Sequence, residues 1–327
     1  MTPHPVVVIT GGSAGIGRAA ARAFARGGAA VAILARGTER LADAVAEIRS
    51  IGVPALGLSV DAADANQVEQ AAERVERELG PIEVWVNNAM TTVFAPFHEM
   101  TVEEFRRVTE VTYLGAVHGT RAALSRMRPR DRGSIVQVGS ALAYRSIPLQ
   151  SAYCGAKAAI RAFTAALRSE LIHDRSRIRV CMVQLSAFNT PQFDWARSRM
   201  PRRLQPVPPI YQPEIAAAAI VRAARGTRRE WWVGWPAARA ILSARVMPGI
   251  GDRLAAKLAY EGQMTKEAAD PSRIDNLFEA APGRQPAHGR FDDRARTRML
   301  QPWLSARRGW LALAGAVLLV AAIAGAL

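Results

Sequence analysis

Val6-Val7-Val8-Ile9-Thr10-Gly11-Gly12-Ser13-Ala14-Gly15-Ile16-Gly17 decides how the rest of the chain is read. Four consecutive β-branched residues form an apolar run too short for a signal peptide or a membrane span, so they read as a buried strand. The glycines after them permit a tight turn, and Arg18 to Arg26 continue as a helix. Strand, glycine turn and helix together leave backbone N–H groups at a helix N-terminus, where a pyrophosphate can approach closely. Gly11, Ser13, Gly15, Ile16 and Gly17 are therefore candidate phosphate-cradle residues.

Working outward, short apolar runs keep alternating with helical patterns. Ala30-Leu34, Ala55-Val60, Ile82-Val86, Ser134-Val138, Arg179-Gln184 and Trp231-Val233 read as strands. Helices are expected from about Glu39 to Ser50, Gln67 to Leu79, Thr101 toward Met127, and Tyr153 to Ile172, with another that Pro213 starts. Gly80-Pro81 closes one helix, and Thr101-Val102-Glu103-Glu104 opens another as a capping box. This rhythm predicts an α/β fold with a doubly wound parallel sheet of about seven strands, whose ligand crevice lies at the strands' carboxyl ends. Phe188 to Pro213, rich in Pro and Arg, reads as a long irregular excursion and a substrate lid.

Strand two ends in Ala35-Arg36. An acid at this point would hold ribose hydroxyls. Its absence, with a guanidinium next to it, favours a ribose 2′-phosphate and hence NADP, to which Ser13 and Thr38 can add hydrogen bonds. The plainer alternative is that Arg36 is one more solvated arginine. Tyr153 and Lys157 stand four apart on one helix, so both face one crevice. A phenol normally titrates near ~10, and a neighbouring ammonium together with a cationic nicotinamide brings it into catalytic range. Ser140, at the end of strand five, is placed to hydrogen-bond a substrate oxygen.

The glycine turn, Asn87-Asn88-Ala89 after strand four, and Ser140 with Tyr153-Cys154-Gly155-Ala156-Lys157 resemble the short-chain dehydrogenase/reductase family, over roughly Pro5 to Val233. The resemblance implies a Rossmann fold, Tyr153 as acid/base and Lys157 on the nicotinamide ribose. It also implies Asp61 at the adenine, Asn88 with Ala89 in the cofactor floor, and Thr190 at the carboxamide. Assembly as a homodimer or homotetramer through the helices after strands four and five is likewise implied. Two departures stand out. Thr112 occupies the position of the asparagine in the family's proton relay, where a shorter hydroxyl must hold the water. Leu185-Ser186 replaces Pro-Gly after strand six, although Thr190 remains.

The expected activity is NADP(H)-dependent interconversion of an alcohol and its carbonyl compound, with a cofactor-binding scaffold of little turnover as the alternative. Met90, Val93, Phe94, Leu142, Tyr144, Ile147 and Phe193 would border the crevice, which points to a small hydrophobic substrate. Cys154 and Cys181 form no disulfide framework, and neither they nor the histidines show metal-ligand spacing, so no metal is expected. The cysteine usage places the catalytic domain in a reducing compartment.

The net charge of +15 comes mainly from arginines spread singly among acids, a pattern that does not indicate nucleic acid. Their excess is densest after Trp195, which suits an anionic membrane surface better. Gly309 to Leu327 carries no charge, approaches the ~20 residues of a membrane span, and follows Arg307-Arg308 between Trp303 and Trp310. The expected organisation is a catalytic domain over 1–236, a helical and irregular extension with a linker near Gly283 to His288 over 237–302, and a transmembrane segment over 303–327. The catalytic domain would then lie in the cytoplasm, anchored by a single C-terminal pass.

Overall fold

The computed structural model describes residues 4–246, 248–283 and 286–299. Seven strands form one parallel sheet: β1 (Val6–Thr10), β2 (Ala30–Ala35), β3 (Ala55–Ser59), β4 (Ile82–Asn87), β5 (Ser134–Ser140), β6 (Arg179–Leu185) and β7 (Glu230–Val233). Their order across the sheet is β7-β6-β5-β4-β1-β2-β3, so the winding reverses between β1 and β4. Side chains alternate across the pleat, and the sequence fills both faces. Val7 and Ile9 pack with one set of helices, α1 (Gly15–Arg26), α2 (Thr38–Ser50) and α7 (Pro213–Arg225). Val6 and Val8 pack with the other, α3 (Ala65–Leu79), α5 (Gly115–Met127) and α6 (Ser151–His173). Burial on both faces is the reason the strands are continuous apolar runs.

The expected helix ends are present. Gly80, which accepts a φ of 104°, follows the last residue of α3. Thr101 and Glu104 form the reciprocal capping box of α4 (Val102–Thr109). The single long helix expected toward Met127 is interrupted by a π-helical turn, Glu110–Leu114, before α5 begins. Such an insertion shifts the face each helix presents, and this one lies beside the crevice.

Three features differ from the sequence reading. The excursion after Phe188 is not wholly irregular: it contains short strands at Ala187–Phe188, Arg197–Ser198, Arg202–Leu204 and Ile210–Tyr211 and a one-turn helix at Gln192–Trp195. The extension after residue 236 begins with α8 (Trp235–Val246) and α9 (Pro248–Leu254), then returns to the catalytic domain. Met264–Ala268 pairs antiparallel with Arg202–Leu204, and Leu277 is fully buried among Val93, Ala95, Val108 and Ala152. The stretch read as a linker is packed too: Ala287 is fully buried in the largest core cluster, and Gly289 N donates to Asn189 O. These contacts were not legible because they depend on single apolar residues within polar, aperiodic sequence.

The expected transmembrane segment lies outside the described residues. Among the described residues no helix is long and apolar enough to cross a membrane.

Candidate active site

The site is built on the contact between the first turn and the end of β4. Gly11 and Gly15 adopt φ of +66° and +55°, conformations that side chains oppose. A Cβ on Gly17 would stand 2.3 Å from Gly11 O and 2.5 Å from Asn88 Nδ2, so the helix can approach the turn only without one. Asn88 fastens the arrangement: its Nδ2 donates to Thr10 O at 3.0 Å and Gly11 O at 3.1 Å, and its backbone N donates to Thr10 Oγ1. Asn88 thus shapes the floor of the cleft as well as lining it.

The glycine turn, β2, β3, the β4 end and α6 surround a single cleft of about 220 Å³. Gly11, Ser13, Gly15, Ile16, Arg36, Asp61, Asn88, Ala89, Ser140, Tyr153, Lys157 and Thr190 all line it. Gly17 does not; its contribution is the close packing just described.

Lys157 is buried, and its Nζ donates to Val138 O at 2.7 Å and lies 5.6 Å from the centre of the Tyr153 ring. Burial pushes its ammonium down to about 8. Burial also pushes the Tyr153 phenol well above its ordinary value, while a hydrogen bond with the Ser140 side chain pulls it the other way. Ser140 Oγ accepts from Leu142 N at 3.1 Å, which holds the hydroxyl oxygen and leaves its proton to be donated. Phenol, hydroxyl and ammonium are therefore gathered at one end of a cleft whose other end is the glycine turn.

The residues fit a nicotinamide dinucleotide. The first turn of α1 contains no acid and has no side-chain cap, which leaves its N–H groups other than that of Gly15 to an anion. Ser186, one of the departures noted in sequence, lines the cleft with a buried hydroxyl that has no hydrogen-bond partner among the described residues.

Several expected roles need correction. Thr112 is fully buried, and its Oγ1 accepts from Thr91 N and donates to Thr91 O, both at 3.1 Å. Its hydroxyl braces the π-helical turn, and Thr112 does not line the cleft. Of the expected substrate residues only Met90 lines the cleft. Phe94 and Phe193 pack on each other with ring centres 6.2 Å apart inside a satellite core. Tyr144 donates to Glu230 at 2.7 Å beneath the Arg161 guanidinium, and neither it nor Leu142 lines the cleft.

Arg36 is not the solvated arginine of the plain reading, nor is it free for a phosphate. Its guanidinium donates to the carbonyls of Asn276 at 2.5 Å, Leu277 at 3.3 Å and Phe278 at 2.8 Å. Burial lowers its pKa, and Arg107 adds to the effect. Arg107 in turn donates to Leu277 O and to Asp61 at 2.5 Å, so the carboxylate assigned to the adenine is already paired. The extension also offers Pro286 O to Gly15 N at 3.4 Å. Backbone carbonyls of one segment thus address both anion-seeking groups of the cleft.

Arg40 was missed. It lies in the first turn of α2, four residues after Arg36, is buried, lines the same cleft and stacks 4.7 Å from the centre of the Trp195 ring. Among the described residues its guanidinium makes no hydrogen bond and no ion pair. A second arginine at the start of the helix after strand two was the available signal.

The short chain dehydrogenase family model matches residues 5–200, and the chain belongs to that family of oxidoreductases. It is 32% identical over 282 residues to the uncharacterized oxidoreductase YxnA of Bacillus subtilis, covering 85% of this chain and 79% of that protein. It is also 32% identical over 224 residues to 3-dehydrosphinganine reductase of Danio rerio, covering 66% of this chain and 67% of the relative. An alcohol dehydrogenase from Thermococcus sibiricus, solved with 5-hydroxy-NADP, superimposes with a TM-score of 0.61 at 28% identity, covering 70% of this chain and 96% of that one.

The depressed Lys157 makes a prediction about stability. The unfolded lysine has its ordinary value near ~10.4, so between about pH 8 and about pH 10 the unfolded chain binds more protons and stability rises with pH. Below that window the full cost of charging a buried lysine, about 3 kcal/mol, is present. Chemical denaturation of wild type and Lys157→Met should show wild type gaining on the variant as pH is raised through the window. A constant difference contradicts the burial argument.

Proposed function

We propose that the protein is an NADP(H)-dependent oxidoreductase that interconverts a hydrophobic alcohol and its ketone or aldehyde. The observation that carries this reading is the convergence of Ser140, Tyr153 and buried Lys157 at one end of a cleft whose other end is the glycine turn. The nicotinamide, when bound, supplies or accepts the hydride. In the reducing direction Ser140 Oγ–H holds the substrate oxygen and Tyr153, kept as a neutral phenol by burial, gives it a proton. Lys157 uses one N–H on Val138 O, and its remaining protons are available to the ribose hydroxyls and to the phenolate left behind. In the oxidising direction the phenolate takes the proton back, and the ammonium beside it lowers the cost.

The preference for NADP is supported by the absence of an acid after β2 and by two guanidiniums in the cleft. Arg40 is the better candidate for the 2′-phosphate, because Arg36 must first release the carbonyls of 276–278. A hydrophobic substrate is supported by Met90 and Leu185 in the cleft wall, and by the likeness to a 3-dehydrosphinganine reductase. Titration of the purified protein with NADPH and NADH tests the cofactor assignment. Arg40→Ala should weaken NADPH by about ten- to a hundredfold, the loss of a charged hydrogen bond, with NADH little changed. Arg36→Ala should cost less. Equal affinity for the two nucleotides in wild type refutes the NADP assignment.

Membrane attachment through 309–327, with the catalytic domain in the cytoplasm, belongs to the same proposal. The uncharged run and the arginines before it support it. Removing 309–327 should abolish vesicle association that resists high salt and alkaline carbonate, while NADPH binding persists. A full-length chain that stays with the aqueous phase contradicts it.

A further inference from the structure

Thirteen large hydrophobic residues are exposed among the described residues, and six of them fall between Trp235 and Leu258. α8 turns Ala237, Ala238 and Ile241 inward, while Trp235, Leu242 and Val246 are exposed to 63, 47 and 73%. α9 buries no residue at all, and Ile250 and Leu254 are more than half exposed. Leu258, in the helical turn that follows, is 63% exposed. Leu242, Val246, Ile250, Leu254 and Leu258 recur every four residues along α8, α9 and the turn after them, an apolar stripe in the sequence. So many large apolar residues exposed within one stretch of 24 positions mark an interaction site rather than ordinary surface scatter.

The charges beside the stripe choose its partner. Between 235 and 258 the chain carries Arg239, Arg245, Arg253 and Lys257 against Asp252 alone, a net charge of +3. Asp252 is itself paired with Arg145 at 2.7 Å. A second copy docked face to face would bring two such cationic borders together. The uncharged run at 309–327 could cover the apolar residues but would leave the cations without counter-charge. An anionic bilayer answers both features: acyl chains accept the apolar stripe while lipid phosphates accept the arginines and the lysine.

The stripe is also placed to matter. α8 packs against the turn Ala141–Ala143, directly after Ser140. Arg145 joins that turn to α9 by donating to Pro248 O at 3.1 Å as well as to Asp252.

We propose that α8, α9 and the turn after them form an interfacial membrane-docking surface that seats the protein on anionic lipid beside the turn that follows Ser140, independently of any span at 309–327. The proposal does not rest on the assigned reaction, and its test does not read activity.

The experiment uses the full chain with one introduced thiol carrying an environment-sensitive fluorophore. Cys154 and Cys181 are buried, so labelling is confined to the new position. Ile250→Cys and Leu254→Cys report on the stripe, and Glu73→Cys on α3 reports on a distant exposed face. With phosphatidylcholine vesicles containing phosphatidylglycerol, the labels at 250 and 254 should shift to the blue and the label at 73 should not. Partition should be at least about tenfold stronger than into neutral vesicles and should weaken with salt. Leu242→Glu with Val246→Glu should remove the shift at 250 while NADPH binding is retained.

Other results overturn the proposal and say why. Vesicle association with an unchanged label at 250 means that 309–327 holds the protein alone. A label already blue-shifted in buffer means that another part of the chain covers the stripe. A shift that depends on protein concentration without lipid means that a second copy does.

Discussion

Asn88 holds the first turn of the chain against the end of β4, donating to Thr10 O and Gly11 O, and Gly17 has no Cβ to keep the helix away. β1 and β4 are the strands between which the winding of the sheet reverses, so this contact closes the point where the crevice opens. It fixes the glycine turn and the start of α1 relative to β4, and β4 is in register with β5, which ends at Ser140. α6 then sets Tyr153 and Lys157 opposite, with Lys157 anchored back on β5 through Val138 O. The phosphate end and the proton-transfer end of the site are therefore one rigid construction.

Much of this was legible. The seven strands were, because each is buried on both faces and has to be apolar, and because glycine and proline bound them. The pair Tyr153 and Lys157 was legible from helical spacing, and the capping box at Thr101 from its own residue pattern. What the sequence withheld was occupancy. Thr112 sits where a relay residue is expected, but nothing in its neighbourhood announced that Thr91 would use both sides of its hydroxyl. Phe94 and Phe193 are apolar residues near the crevice in sequence, yet they find each other before they find the cleft. Arg36 is placed as expected at the end of β2, but its partners lie some 240 residues away in aperiodic sequence that carries no period to read.

The extension after residue 236 gives the molecule its own character. It contributes Asn276 and Ala280 to the wall of the cleft, covers Arg36 with three carbonyls and reaches the glycine turn through Pro286. Its first part faces outward with an apolar and cationic surface, and its later part faces inward onto the cofactor site. The proposed lipid-docking surface and the partly covered cofactor cleft thus involve the same stretch of chain.

The central claim is that Tyr153, supported by Lys157 and Ser140, transfers the proton that accompanies hydride transfer. It is tested most directly by single-turnover stopped-flow oxidation of bound NADPH, with a panel of long-chain and cyclic ketones, in wild type and Tyr153→Phe. The account predicts rapid loss of NADPH fluorescence with a hydrophobic ketone and a slowing of about 10²- to 10⁴-fold in the variant, with NADPH affinity preserved. Equal rates in the two proteins, or bound NADPH that no carbonyl oxidises, would contradict it.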